Sequence, residues 1–156
     1  MARRRVATKR KIQPDPRFND ESIAKFINHI MSCGKKSIAE SIVYSALDKL
    51  GQRAKGDPLA LFKKVLDRLR PPVEVKSRRV GGATYQVPVD VRPIRSLTLA
   101  MRWLIGSSRK RAEKGMAARL AAEMYDVLEG RGGSLKQLET VIAMAKANQA
   151  FTHFRW

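Results

Sequence analysis

The chain is 156 residues long, sets 32 lysines and arginines against 14 aspartates and glutamates, and has a formal charge of +18 with a pI near 10.8. A compact state holding that much like charge repels itself, so a polyanionic partner is its simplest account, while a 44% hydrophobic share suffices for one core. One-domain size, no run of about 20 apolar residues, no apolar stretch behind the basic N-terminus and a single cysteine, Cys33, disfavour secreted, membrane-spanning and disulfide-stapled classes.

Residues 1–17 hold seven bases and one acid, a net +6. This arm reads Arg3-Arg4-Arg5, then Lys9-Arg10-Lys11, then Pro14-Asp15-Pro16. With two prolines and no helical period it is expected to be disordered alone and to order on phosphates; a solvated tail is the plainer alternative. Asn19 or Asp20 caps a first helix whose apolar face is Ile23, Phe26, Ile27, Ile30 and Met31. Gly34 is its stop. Ser37 and Glu40 have capping-box spacing for a second helix, which starts there or a turn earlier at Lys35. Its expected stripe is Ile38, Ile42, Val43, Ala46, Leu47 and Leu50, with Gly51 as its end. Asp57-Pro58 opens a third helix with Phe62, Val65, Leu66 and Leu69 inward, and Pro71-Pro72 stops it.

The period then changes from about 3.6 to 2. Val73, Val75, Ser77 and Arg79 alternate on one side of Gly81-Gly82, and Tyr85, Val87, Val89 and Val91 on the other, which reads as a hairpin. A three-residue loop over 81–83 with a bulge is preferred to a two-residue loop. It pairs Val75 with Val89 and Arg79 with Tyr85, giving one face that is apolar at the base and basic-aromatic at the tip. The base should lean on the helices, and the tip with Lys76, Arg78 and Arg79 should project. Pro93 opens a fourth helix with Ile94, Leu97, Met101 and Leu104 inward; a fifth runs from about Met116 to Glu129 with Leu120, Met124 and Leu128 inward. Arg131-Gly132-Gly133 is a turn, and Ser134 with Gln137 has capping-box spacing for a sixth helix with Leu135, Leu138, Ile142 and Ala145 inward. The expected fold is mainly α: a six-helix bundle with one protruding β-hairpin and a basic N-terminal arm. Residues 18–156 form a single helical domain, with the hairpin at about 73–91.

Charge is unevenly spread along this plan. Residues 70–119 hold twelve bases and three acids, a net +9, whereas residues 120–156 hold four of each and are neutral. On the fourth helix Arg95, Arg102 and Arg109 are seven apart and share one stripe, extended by Lys110, Arg111 and Lys114. A merely solvated face normally mixes signs, so this one reads as a phosphate-binding surface. Trp103 either stacks on a base or is covered by another helix. Lys35 and Lys36, at a helix start, suit a phosphate or are ordinary surface lysines. Gly34-Lys35-Lys36-Ser37 is not a phosphate loop, because His29 stands where that motif needs glycine. Catalysis has little support. His29 and His153 are far apart, Cys33 has no base partner and is expected to be a small buried residue, and no acid cluster suggests a metal. A helical DNA-binding protein and an enzyme using Cys33 are the rival readings, neither with a matching motif.

Several runs resemble one family along nearly the whole chain. Ile30-Met31-Ser32-Cys33-Gly34-Lys35-Lys36-Ser37, leading into Ile42-Val43-Tyr44-Ser45-Ala46, resembles the signature of small-subunit ribosomal protein seven of bacteria. The stretch from Val73 to Pro88 is similar to that family's hairpin, Arg102-Trp103-Leu104 and Ser108-Arg109-Lys110-Arg111 to its next helix, and Ala147 to Phe151 with His153 to Trp156 to its C-terminus. The resemblance implies a structural RNA-binding protein with no cofactor, no metal and no catalytic residue. It implies binding to the 3′ major domain of 16S-type rRNA, nucleation of head assembly, and a place near exit-site tRNA and the mRNA exit path beside the eleventh small-subunit protein. It further implies no homo-oligomer, no membrane, and a cytoplasmic ribosome or one in an organelle of bacterial descent. Carried over by position, the rRNA contacts are Arg3, Arg4, Arg5, Lys9, Arg10, Lys11, Lys35, Lys36, Lys76, Arg78, Arg79, Arg92, Arg95, Arg102, Arg109, Lys110, Arg111, Lys114 and Arg119. The side toward exit-site tRNA and mRNA is Arg78, Arg79, Val80, Gly81, Gly82, Lys136, Lys146 and Arg155. One departure is that the sixth helix carries only Lys136 between Leu135 and Ala145, where the family is richer in bases. The neutral C-terminal segment is therefore not expected to be a major rRNA anchor.

Overall fold

A computed structural model describes residues 10–154. Among these residues six α-helices and one hairpin follow in the expected order: α1 (Glu21–Ile30), α2 (Lys36–Ala54), α3 (Pro58–Leu69), β1 (Val73–Val80), β2 (Ala83–Asp90), α4 (Pro93–Arg109), α5 (Met116–Leu128) and α6 (Gly133–Ala147). A 3-10 turn, Gln149–Phe154, follows α6. The core draws on the apolar faces of α1 to α5, with Phe26 and Phe62 tilted against each other at 5.0 Å. Among the described residues no helix is long and apolar enough to cross a membrane.

Local chemistry explains the helix ends. Asp20 caps α1, its carboxylate accepting from the Ser22 and Ile23 amides at 2.7 and 3.3 Å. Asp57 caps α3 in the same way, accepting from the Ala60 amide at 3.0 Å, with Pro58 in the first turn. α2 begins at Lys36 without a side-chain cap, so the Ser37–Glu40 box does not form. Nor does Gly51 end α2. The helix runs on to Ala54 and closes through Lys55 in the left-handed region, φ 50°. Gly51 serves a close approach instead, because a Cβ there would lie 2.9 Å from Pro58 Cγ. The expected buried stripes run one residue too far at two helix starts: Ile38 is 55% exposed and Ile94 is 74% exposed. Cys33, expected to be buried, is exposed in the turn before α2, with φ 52°.

The last residues of the arm are fastened to the helices. Asp15 is buried and accepts from the Tyr44 hydroxyl at 2.7 Å and from the Arg17 and Phe18 amides at 3.1 Å each. Burial and the adjacent Asp15 carboxylate push the Tyr44 hydroxyl up to about 12. Arg17 lies over the Phe18 and Tyr44 rings and makes a two-pronged bond to Asp48.

The hairpin register differs from the expected one. Val75 pairs with Pro88, Arg78 with Tyr85 and Val80 with Ala83, leaving a two-residue Gly81-Gly82 turn and no bulge. Both glycines have positive φ, 56° and 89°. A mirror-image two-residue turn requires this, and it matches the strand twist. The valines of the two strands therefore lie on opposite faces. The Ser77–Gln86 pair is joined through its side chains at 3.2 Å. At the base the Val91 amide donates to the Pro72 carbonyl at 3.0 Å and the Ser96 hydroxyl to the Pro71 carbonyl at 2.9 Å.

Candidate nucleic-acid interface

Three candidate cations, Lys76, Arg92 and Arg95, meet where the hairpin base joins the start of α4. Glu74 on β1 is only 14% exposed and sits between two of them, 3.3 Å from Lys76 Nζ and 3.4 Å from Arg95 Nε. One carboxylate thus holds a strand cation and a helix cation side by side. Both cations stay half-exposed, so the pairs contribute little stability and leave donors facing water. Lys76, Arg92 and Arg95 line a groove here with Glu74 and Asp90, at the end of α4 where the helix dipole is positive. Further along the same strand Arg79 is exposed and Arg78 half-buried, and the turn glycines are exposed.

From there the α4 stripe runs along the body. Arg102 and Arg109 are exposed, the latter roughly 20 Å along the helix from Arg95 at 1.5 Å per residue. Lys110 and Lys114 continue the exposed cations past the helix end. His29 on α1 is held below its ordinary pKa by burial and then by the Arg102 charge, so it stays neutral beside the stripe. Trp103 is half-buried and lines an apolar cleft with Val75, Leu99, Val141 and Met144, between the hairpin, α4 and α6.

A second meeting place lies across the molecule's first turns. Arg10, Lys11 and Lys36 line one groove with Asn28 and Glu40, where the end of the arm passes α1 and α2. Lys35 and Lys36 are exposed at the start of α2, with Lys36 3.6 Å from Glu40. Arg3, Arg4, Arg5, Lys9 and Arg155 lie outside the described residues. Lys136 and Lys146 are exposed on α6 but stand alone as bases among its residues.

Two of the expected contacts are engaged within the fold. Arg111 is only 23% exposed and bonds Glu113, Glu123 and Asp126, each at 2.8 Å. The Glu113 hydrogen bond is the largest influence in raising its pKa further. Glu123 is 1% exposed, and its other oxygen accepts from the Ser134 amide at 2.8 Å and hydroxyl at 2.7 Å. Ser134 is therefore not a cap of its own helix; a carboxylate from α5 caps α6 from across the interface. Arg119 is half-buried, donating to the Glu113 carbonyl at 2.6 Å. Charge alone cannot separate these two from free cations. The nearby acids at 113, 123 and 126 were the available signal. Glu74 was equally readable as the lone acid of β1, directly before its bases.

The described residues contain no cluster of histidine, cysteine or acidic groups fit for a metal. The family model described as ribosomal protein S7p/S5e matches residues 2–149. The chain belongs to the ribosomal protein S7p/S5e family. It is similar over its full length, and over the full length of each relative, to proteins named small ribosomal subunit protein uS7. Identity is 60% to that of Hahella chejuensis, 59% to that of Alcanivorax borkumensis and 58% to that of Pseudomonas aeruginosa. Membership makes the protein a structural constituent of the ribosome and not an enzyme. The mainly helical fold with a single hairpin agrees with that family, and the basic grooves become candidate rRNA surfaces.

Proposed function

We propose that the protein is a small-subunit component that binds the 3′ major domain of 16S-type rRNA and nucleates assembly of the head. The observation that carries this reading is the groove at the hairpin base, where Glu74 aligns Lys76 and Arg95 beside Arg92 in a member of a ribosomal family. Exposed bases that track phosphates contribute affinity and register without reading bases. A projecting hairpin and a basic arm suit an irregular RNA surface better than a regular groove. The rRNA side comprises the arm bases, Lys35, Lys36, Lys76, Arg78, Arg79, Arg92, Arg95, Arg102, Arg109, Lys110 and Lys114. Arg111 and Arg119 act on it only by holding the loop that presents Lys110 and Lys114. The hairpin turn, with Lys136 and Lys146, faces exit-site tRNA and the mRNA path, beside the eleventh small-subunit protein. The protein acts there as a single copy.

Partner choice is the test. A fragment of the 3′ major domain and duplex DNA of equal charge are titrated at one salt concentration. Tighter binding to the rRNA fragment is expected; equal affinity for both overturns the reading.

A further inference from the structure

The C-terminal segment has no net positive charge with which to hold RNA, yet it carries aromatic rings in close contact with the hairpin. Tyr85 on β2 lies against Phe151 at 5.1 Å and Phe154 at 5.2 Å between ring centroids. Both phenylalanines belong to the 3-10 turn Gln149–Phe154. This turn is tied down internally: the Phe151 amide donates to the Asn148 carbonyl at 3.0 Å, and the Asn148 side chain to the Met144 carbonyl at 2.8 Å. It leaves α6 directly, and α6 is locked to the body at its other end through Ser134, Glu123 and Arg111. Two residues beyond Tyr85, Val87 is fully buried. Tyr85 also pairs across the strands with Arg78, next to Arg79. The aromatic contact therefore falls beside the hairpin's outer cations, beyond the base, which is tied to α4 through Glu74 and Arg95 and lies against α6.

A two-stranded hairpin is marginal by itself and swings about its base unless something else holds it. We propose that the C-terminal 3-10 turn is a clasp that sets the pose of the hairpin, with Phe151 and Phe154 as positioning residues acting through Tyr85. A held hairpin presents its cations without first losing freedom on binding, so the clasp contributes RNA affinity while touching no phosphate. This gives the neutral composition of the segment a physical role. It also reverses the expectation from charge that the segment matters little to RNA binding. The clasp rests on the reading of the hairpin as an RNA contact only for its functional consequence; the geometry is testable without RNA.

Spin labels at Thr84→Cys near the hairpin tip and Ser45→Cys on α2, in a Cys33→Ser background, report hairpin pose by double electron–electron resonance. A single narrow distance is expected in the parent and in the conservative Tyr85→Phe variant. Phe151→Ala with Phe154→Ala is expected to broaden it, with the helical circular dichroism unchanged. The same double variant without labels is expected to bind the 3′ major-domain fragment roughly five- to tenfold more weakly, as a pose populated only part of the time lowers apparent affinity. An unchanged narrow distance, or a broadened one with unchanged RNA affinity, overturns the proposal. Failure of the RNA reading itself looks different: Lys76→Ala with Arg79→Ala then leaves affinity unchanged while the distance stays narrow.

Discussion

Arg111 stands among the cations that charge alone assigns to RNA, yet three carboxylates hold it. Removing it leaves Glu123, at 1% exposure, with a buried charge and only Ser134 as a listener on its other oxygen. Breaking a buried ion pair from one side costs about 3 kcal/mol or more. Arg111→Ala is therefore expected to lower stability to urea by about that amount, whereas Arg109→Ala, at an exposed site, changes it by less than about 0.5 kcal/mol. Equal small effects would show that the network is not structural. Tyr44 makes a second residue-scale prediction. Its hydroxyl keeps its proton until about pH 12 in the folded state, against an ordinary value of 10.0. Below pH 10 the contribution to stability is complete, and between 10 and about 12 it is lost as the unfolded chain ionises first. Spectroscopic titration should find one of the three tyrosines ionising last, and Tyr44→Phe should remove that step.

At the scale of elements, the turn glycines and Gly51 within α2 behave by different rules. Gly81 and Gly82 supply positive φ for the tight turn. Gly51 sits within a helix and supplies space. Gly51→Ala gains helix propensity but places a Cβ 2.9 Å from Pro58 Cγ and 3.3 Å from the Gly56 carbonyl. Overpacking against a ring and a backbone oxygen outweighs propensity, so a loss of about 1–2 kcal/mol is expected by thermal unfolding. A gain in stability would show that the loop yields. Helix periods and the 2-residue period of the hairpin were legible because they record which side is buried. The register was not. The bulged alternative aligns the valines on one face, which looks better until the two consecutive positive φ values are known. Ile38 and Ile94 misled for a related reason: an apolar stripe continues into a first turn that no neighbouring element covers. Of the candidate site, the exposed cations were legible from spacing. Arg111 and Arg119 were not, because their partners come from α5 and from the loop before it. The C-terminal clasp was invisible to charge, since its contacts are aromatic and join residues far apart in sequence.

Across the whole molecule the +18 charge divides between free and occupied cations. Glu74, Glu113, Glu123 and Asp126 are the acids that place bases rather than neutralise the surface. If the exposed bases bind phosphates, affinity falls with salt, and each lost contact reduces the log–log slope by roughly 0.7–0.9. Replacing Lys35, Lys36, Lys76 and Arg79 together by Ala should flatten the slope by roughly three units while leaving the helical unfolding midpoint near that of the parent. An unchanged slope would place the contacts elsewhere. The most direct measurement is hydroxyl-radical footprinting of the protein on intact small-subunit rRNA. Protections confined to the 3′ major domain are predicted, with those owed to the hairpin lost in the Lys76→Ala, Arg79→Ala variant. Protections outside that domain, or none within it, would contradict the account.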